Sequence, residues 1–364
     1  AALILGGAAF LSRILGLLRD RMLANRFGAG DILDAYYAAF QIPDILFTIF
    51  LVGAASAAVM PVFMEYDERG QETSAKFASN LLSVFAVFSL ALALLTAIFA
   101  PWVMSWVAPG FGASKLQLAV KLTRLIILNA VFFGIGGILS SVLQARHRFL
   151  VFALPPILYN AGIIAGIIFL VPLLGPIGLA FGVLIGGVMQ IAVQLPALKA
   201  MGFKFIPQFN LREPGLIRVA RISAPRVLAL SMSQITLAAL AAIASFFAAG
   251  SVSVFKLSSN LMYVPVGLFG VSYALAIFPK LSGASLGGHG AKFSAQFSAG
   301  VRNVLFWALP FSTLFIVLRA HVVRVVLGSG VFDWEDTRLV AAVLGILAIA
   351  VVSESLLPLI MRAF

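Results

Sequence analysis

The side chains with chemistry to offer in this chain are few and mostly basic. Residues 12–21 read Ser-Arg-Ile-Leu-Gly-Leu-Leu-Arg-Asp-Arg inside an apolar stretch, which brings Arg13, Arg19, Asp20 and Arg21 close together. At ~100° per residue on a helix, Arg13 and Asp20 fall within about 20° of one line, with Arg19 and Arg21 flanking it. A guanidinium is a planar fork of N–H donors that matches phosphate or carboxylate, so this spacing suits capture of an anion. The competing reading is that Arg19, Asp20 and Arg21 pair with one another or reach to a membrane interface.

Three further groups share this pattern of polar side chains on an apolar helix. Asp34, Gln41, Asp44, Thr48 and Ser56 project within about 120° of arc, with Pro43 favouring a bend beside Asp44. Lys256, Ser259, Asn260 and Tyr263 share a face just before Pro265, and Arg226, after Pro225, lines up with Ser233 near Gln234. Such stripes face water or protein, so they line a cavity or glue a helix–helix seam; Arg226 also reads as an interfacial anchor. Across these stretches Arg13, Arg19, Arg21, Arg226 and Lys256 outnumber Asp20, Asp34 and Asp44, which favours an anionic, phosphorylated substrate over a cation.

Enzyme chemistry finds little support. The chain has no Cys and only 3 His, which removes thiolate nucleophiles, disulfides and most metal-ligand sets. No phosphate-binding glycine loop, zinc-protease helix or nucleophile elbow is present. The loop with Asp333, Glu335 and Asp336 is the candidate for carboxylate or metal chemistry, and it reads better as a turn with an acidic helix N-terminus. No catalytic residue, metal or cofactor is therefore expected, and no nucleic-acid partner.

The elements that must position these residues are membrane spans. A hydrophobic share of 62%, 10% charged residues and a mean hydropathy of +1.09 exclude a soluble globular domain. Stretches of roughly 20 apolar residues recur ten times, near 3–27, 34–63, 75–107, 117–145, 150–172, 176–200, 216–248, 252–280, 296–327 and 336–361, which predicts an all-α polytopic protein with about 10 transmembrane helices. Lys and Arg concentrate in alternate connections, at Arg69 and Lys76, Arg146 and Arg148, Lys199 to Arg221, Lys280 and Lys292, and Arg362. The positive-inside rule then places the N-terminus in the cytoplasm and explains most of the +12 net charge by topology. No cleavable signal peptide is visible, because Arg13, Arg19, Asp20 and Arg21 interrupt the first stretch, and the chain opens at Ala1 without an initiator Met.

Comparing the chain with itself at an offset of about 220 residues pairs Phe27-Gly28-Ala29-Gly30 with Phe247-Ala248-Ala249-Gly250, and Ile42-Pro43 with Val264-Pro265. An even number of spans separates these points, so the repeats share one orientation and the expectation is two pseudo-symmetric helical lobes around a central cavity, residues 1–210 and 211–364. By the same offset the second repeat is incomplete, so the chain is expected to be truncated at its C-terminus.

Ser12-Arg13-Ile14-Leu15-Gly16-Leu17-Leu18-Arg19-Asp20, Phe27-Gly28-Ala29-Gly30, Asp34-Ala35-Tyr36-Tyr37 and Gln41-Ile42-Pro43-Asp44 resemble the opening of the MurJ (MviN) lipid II flippases. Ser233-Gln234-Ile235 and Pro265-Val266-Gly267-Leu268-Phe269-Gly270-Val271 are similar to that family's seventh and eighth helices. The resemblance implies the fold of the multidrug/oligosaccharidyl-lipid/polysaccharide (MOP) exporters. It also implies transfer of undecaprenyl-diphosphate-linked peptidoglycan precursor from the inner to the outer leaflet of the bacterial cytoplasmic membrane by alternating access, as a monomer among membrane lipids. The family's first-helix arginines correspond to Arg13 and Arg19, followed by Asp20 and Asp34. Where the family usually has a further Arg the chain has Phe47, and in place of an Asp-Arg pair it has Ser259-Asn260. The expected substrate-binding set is Arg13, Arg19, Asp20, Asp34, Arg226, Lys256 and Asn260, with Lys256 and Arg226 substituting in a rearranged site. The alternatives are export of another polyprenyl-diphosphate-linked oligosaccharide and a non-transporting scaffold relative.

Overall fold

The computed structural model describes residues 2–48, 59–286 and 290–363; within its helices the side chains of Arg226 and Ser233, among others, lie outside the described part, as does Ser56. All regular structure among the described residues is helical. The chain divides into two compact units, one of residues 1–23 with 30–252 and one of 24–29 with 253–364.

In the first unit the order is α1 (Ala2–Phe27, its last turn belonging to the second unit), α2 (Asp31–Phe47), α3 (Met60–Glu68), α4 (Gln71–Ile98), α5 (Ala100–Val107), α6 (Ala113–Ile126) and α7 (Leu128–Ala145). It continues with α8 (Phe149–Ala153), α9 (Pro155–Ala165), a π-helical turn Gly166–Leu170, α10 (Val171–Leu174), α11 (Ile177–Ala192), α12 (Leu195–Ala200) and α13 (Pro214–Ser245). Proline opens several of these helices, at Pro61, Pro101, Pro155, Pro172, Pro196 and Pro214, where its missing N–H costs nothing. The third expected span breaks at Phe99 between α4 and α5, because Pro101 cannot continue the hydrogen-bond ladder of α4.

Apolar burial alone cannot drive helices together in lipid, so close backbone approach and polar bonds must. The α9–α11 crossing shows the first device. A Cβ on Gly162 would sit 2.3 Å from the Gly186 Cα, and one on Gly166 would sit 2.4 Å from the Gly182 Cα. The two helices touch backbone to backbone along a small-residue seam. Gly162→Val is therefore expected to destabilise the protein by about 3 kcal/mol, read as loss of monodisperse protein on detergent extraction. The second device ties the charged end of the unit. Arg146 donates to Asp67 at 2.5 Å, Ser74 donates to the same carboxylate at 2.7 Å, and Arg218 on α13 pairs with Glu65 on α3. Tyr66 in this region donates nothing to Gly215; its hydroxyl oxygen accepts the Gly215 N–H at 3.1 Å. Burial and the neighbouring Glu213 carboxylate hold that phenol above its ordinary pKa.

The second unit contains residues 24–29, most of α14 (Ser251–Pro265), a π-helical turn Val266–Val271, α15 (Ser272–Leu286), α16 (Gly290–Val317), α17 (Arg319–Val326) and α18 (Trp334–Ala363). The π turn falls on Pro265-Val266-Gly267-Leu268-Phe269-Gly270-Val271, and Gly270 packs so tightly on α18 that a Cβ there would lie 2.5 Å from the Ser355 carbonyl oxygen. Ser258 and Ser312 donate to the α18 carbonyls of Val340 and Ala348 at 3.0 and 2.7 Å. The acidic loop behaves as a cap. Asp333 Oδ1 accepts the Asp336 N–H at 2.9 Å at the start of α18, and Asp336 accepts the Ala29 N–H at 3.0 Å.

Among the described residues seven helices are long and apolar enough to cross a membrane: Gln71–Ile98, Ala113–Ala145, Pro155–Leu174, Ile177–Ala200, Ser251–Phe278, Gly290–Val317 and Trp334–Arg362. Of the other three expected spans, α1 is long but carries five charged residues between Arg13 and Arg26, α13 carries Arg218, Arg221 and Arg226, and the stretch near 34–63 includes residues 49–58, outside the described part.

Candidate functional site

Helix α1 is a poor lipid-facing helix and a good scaffold for a buried cation. Its Arg19 side chain is 21% exposed and that of Asp20 only 4%. Arg19 Nε and Nη2 donate to Asp20 Oδ1 at 3.0 and 2.8 Å, and Nη1 donates to Asn160 Oδ1 on α9 at 3.1 Å. Asn160 is aimed by its own bond to the Pro156 carbonyl oxygen at 2.9 Å, and it rests on Gly16 of α1, where a Cβ would lie 4.0 Å from Asn160 Oδ1. The guanidinium is thus held in one orientation by an ion pair and an amide, as a preorganised anion ligand must be.

Aromatic side chains surround this pair. Tyr36 and Tyr37 are buried and Tyr159 is half-buried within electrostatic range of Arg19, and Asp44 acts on Tyr36 and Tyr159. Tyr36 packs edge-on to Phe40 with centroids 4.9 Å apart, and Phe133 bridges Phe47 and Tyr159, each at 4.7 Å. Phe47 therefore completes a ring ladder from α2 through α7 to α9. The Tyr37 hydroxyl has no hydrogen-bond partner among the described residues, a cost of about 1–3 kcal/mol that water or a polar ligand would relieve.

The other expected residues divide. Asp34, 1% exposed, accepts from Lys115 Nζ at 2.5 Å and from the Gly250 N–H at 2.8 Å; Lys115 also reaches Asp31 at 2.8 Å and sits 4.3 Å from the centroid of the Phe111 ring. Arg13 is half-buried on α1. Lys256 and Asn260 are half-buried on α14, in the second unit. The backbone of Arg226 lies in α13, while its side chain lies outside the described residues.

Asn160, Tyr36, Tyr37, Tyr159 and Lys115 were not singled out from sequence as site residues. A signal existed for one of them: Asn160 is a lone amide in an apolar span, and such a group must find a partner. For Lys115, at the edge of a connection, no local pattern distinguishes a buried pair from a solvated charge. Among the described residues no cluster of three or more His, Asp or Glu could hold a metal ion.

The family model described as lipid II flippase MurJ matches residues 23–364. The chain belongs to the MurJ lipid II flippase family. The lipid II flippase MurJ of Burkholderia cenocepacia is 31% identical over 373 residues, covering 100% of this chain and 72% of that protein. A solved structure of the lipid II flippase MurJ in an inward closed conformation superimposes with a TM-score of 0.83 at 26% identity, over 100% of this chain and 75% of that one. An inward-facing multidrug resistance MATE family transporter of the MOP superfamily superimposes with a TM-score of 0.72 at 16% identity, over 97% and 82% of the two chains, a likeness of fold alone. The fold is that of the MOP exporters, and this MurJ-family chain is a multi-pass membrane protein. Its Phe47 packs edge-on against Phe133, with ring centroids 4.7 Å apart.

Proposed function

We propose that this chain is a flippase moving lipid II from the inner to the outer leaflet of the bacterial cytoplasmic membrane by alternating access, with residues 1–210 and 211–364 as its two repeats and its N-terminus in the cytoplasm. The observation that carries the reading is membership of the MurJ family over residues 23–364, which include Arg19-Asp20's partner Asn160 and the Asp34 clasp. Arg19, ordered by Asp20 and Asn160, would exchange part of its fork from the carboxylate to the substrate diphosphate, and Arg13 on the same helix would add a second cation. Arg226, Lys256 and Asn260 would complete the polar lining. The undecaprenyl tail would stay in the bilayer while the head group crosses, and the protein would work as a monomer without a cofactor.

Phe47, packed edge-on against Phe133 where the resemblance implies an Arg, favours a second reading, export of another polyprenyl-diphosphate-linked oligosaccharide. Expression of the full-length protein in cells depleted of their own lipid II flippase separates the two. Restored growth, and lost rescue in an Arg13→Ala variant at equal membrane level, is the expected result. A folded, well-expressed parent that leaves lipid II on the inner leaflet would move the substrate to a different lipid-linked glycan.

A further inference from the structure

A cavity of about 410 Å³ opens in the first unit where α4, α7, α11 and α12 meet the segment 203–205. That volume lies in the range of small-molecule sites. Its walls are aliphatic, with Leu82, Ile135, Leu139, Ile191 and Leu198, and its polar members are Ser83 and Lys199. The segment that closes one side is not held by apolar contact alone. Ile206 N–H donates to Ser79 Oγ at 3.1 Å, Asn80 exchanges bonds of 2.7 and 2.9 Å with the Asn210 backbone, and Gln71 donates to the Met201 carbonyl oxygen at 2.7 Å. These bonds anchor 201–210 along the start of α4 and present Phe203 and Phe205 as a fixed wall.

The charge at the rim is distinctive. Arg69, Lys76, Arg146 and Arg218 each pair with a carboxylate, at Glu65, Glu72, Asp67 and Glu65. Lys199 is exposed in the last turn of α12, and among the described residues no carboxylate lies within ion-pair distance of it; Lys204 nearby is exposed as well. The lining residue Phe205 is itself 54% exposed, and beyond the rim Val87 and Phe88 on α4 present a bare apolar surface, which in a membrane protein meets lipid tails.

An uncompensated cation beside a dry aliphatic slot, open toward lipid, complements a molecule with one anionic head and a hydrocarbon tail. We infer that this cavity binds an acyl chain of an anionic phospholipid whose phosphate pairs with Lys199. The site stands apart from the Arg19 constellation and does not depend on the transported substrate.

The test uses the full-length protein and a phosphatidylglycerol carrying a photoactivatable group in its acyl chain, beside the matching phosphatidylcholine. The expected result is labelling of peptides around 82–86, 135–139 and 195–205 by phosphatidylglycerol in preference to phosphatidylcholine. Lys199→Gln is expected to reduce that preference by about fivefold, the effect of one interfacial cation. Leu195→Trp, at a half-exposed rim position, is expected to lower labelling of these peptides without moving the thermal midpoint. Equal labelling by the two lipids would overturn the inference, as would an unchanged preference in Lys199→Gln. Displacement of the probe by undecaprenyl diphosphate but not by unlabelled phosphatidylglycerol would also overturn it, by assigning the slot to the substrate's tail.

Discussion

Arg19→Ala is expected to abolish rescue of flippase-depleted cells and to destabilise the protein in the same step. Its guanidinium gives two hydrogen bonds to Oδ1 of the Asp20 carboxylate, which is 4% exposed, and one to Asn160. Removing it takes the charge-assisted bonds to Oδ1 from a buried anion, at a cost of about 3–5 kcal/mol. Stability alone would then account for lost function, so the informative variant is Arg19→Ala combined with Asp20→Ala. With both charges gone most of the stability is expected to return. Transport should not return, because a charged hydrogen bond worth about 1.5–3 kcal/mol to the diphosphate is still missing, a deficit of about ten- to hundredfold. Thermal unfolding of the purified variants and lipid II transfer in proteoliposomes at equal protein read the two effects apart. A double variant that flips at the parent rate would confine Arg19 to its pairing with Asp20.

Lys115→Met is expected to cost a similar amount for a different reason. Lys115 neutralises Asp34, which is 1% exposed, and also touches Asp31, which is 63% exposed. A pair with so exposed a carboxylate is worth under about 1 kcal/mol, so Asp31→Asn is expected to be nearly silent. Loss of the Asp34 partner is not screened, and a fall of about 3–5 kcal/mol is expected in the thermal scan. Asp34→Asn in the Lys115→Met background should recover most of it, since the amide oxygen still accepts the Gly250 N–H and no charge is left buried. Equal effects of Lys115→Met and Asp31→Asn would show instead that the cluster is solvated.

The apolar runs and the basic motif were open to reading in one dimension because hydropathy and helical angle are local properties. Arg13 and Asp20 share a face of α1 by spacing alone, with Arg19 flanking it, and the opening motif pointed to the family that residues 23–364 match. Breaks inside spans were half visible: Pro265 and Gly267 marked the place where the π turn Val266–Val271 falls, whereas the span expected over 75–107 was read as continuous although Pro101 opens a new helix after Ile98.

Composition, periodicity and motif thus determined that this is a helical membrane protein of the MurJ family with a cationic first helix. Tertiary structure decided which charges are spoken for. Asp20 and Asp34, equivalent as carboxylates on apolar helices, part company because one is beside Arg19 and Asn160 while the other is clasped by Lys115 and the Gly250 amide. Tyr159 and Phe133 come to Phe47 from helices distant in sequence, and together they form an aromatic ladder that the sequence did not reveal. The reason is physical: in a low-dielectric interior the meaning of a charge or a ring is set by what lies within about 4 Å of it, and that neighbour is chosen by helix packing.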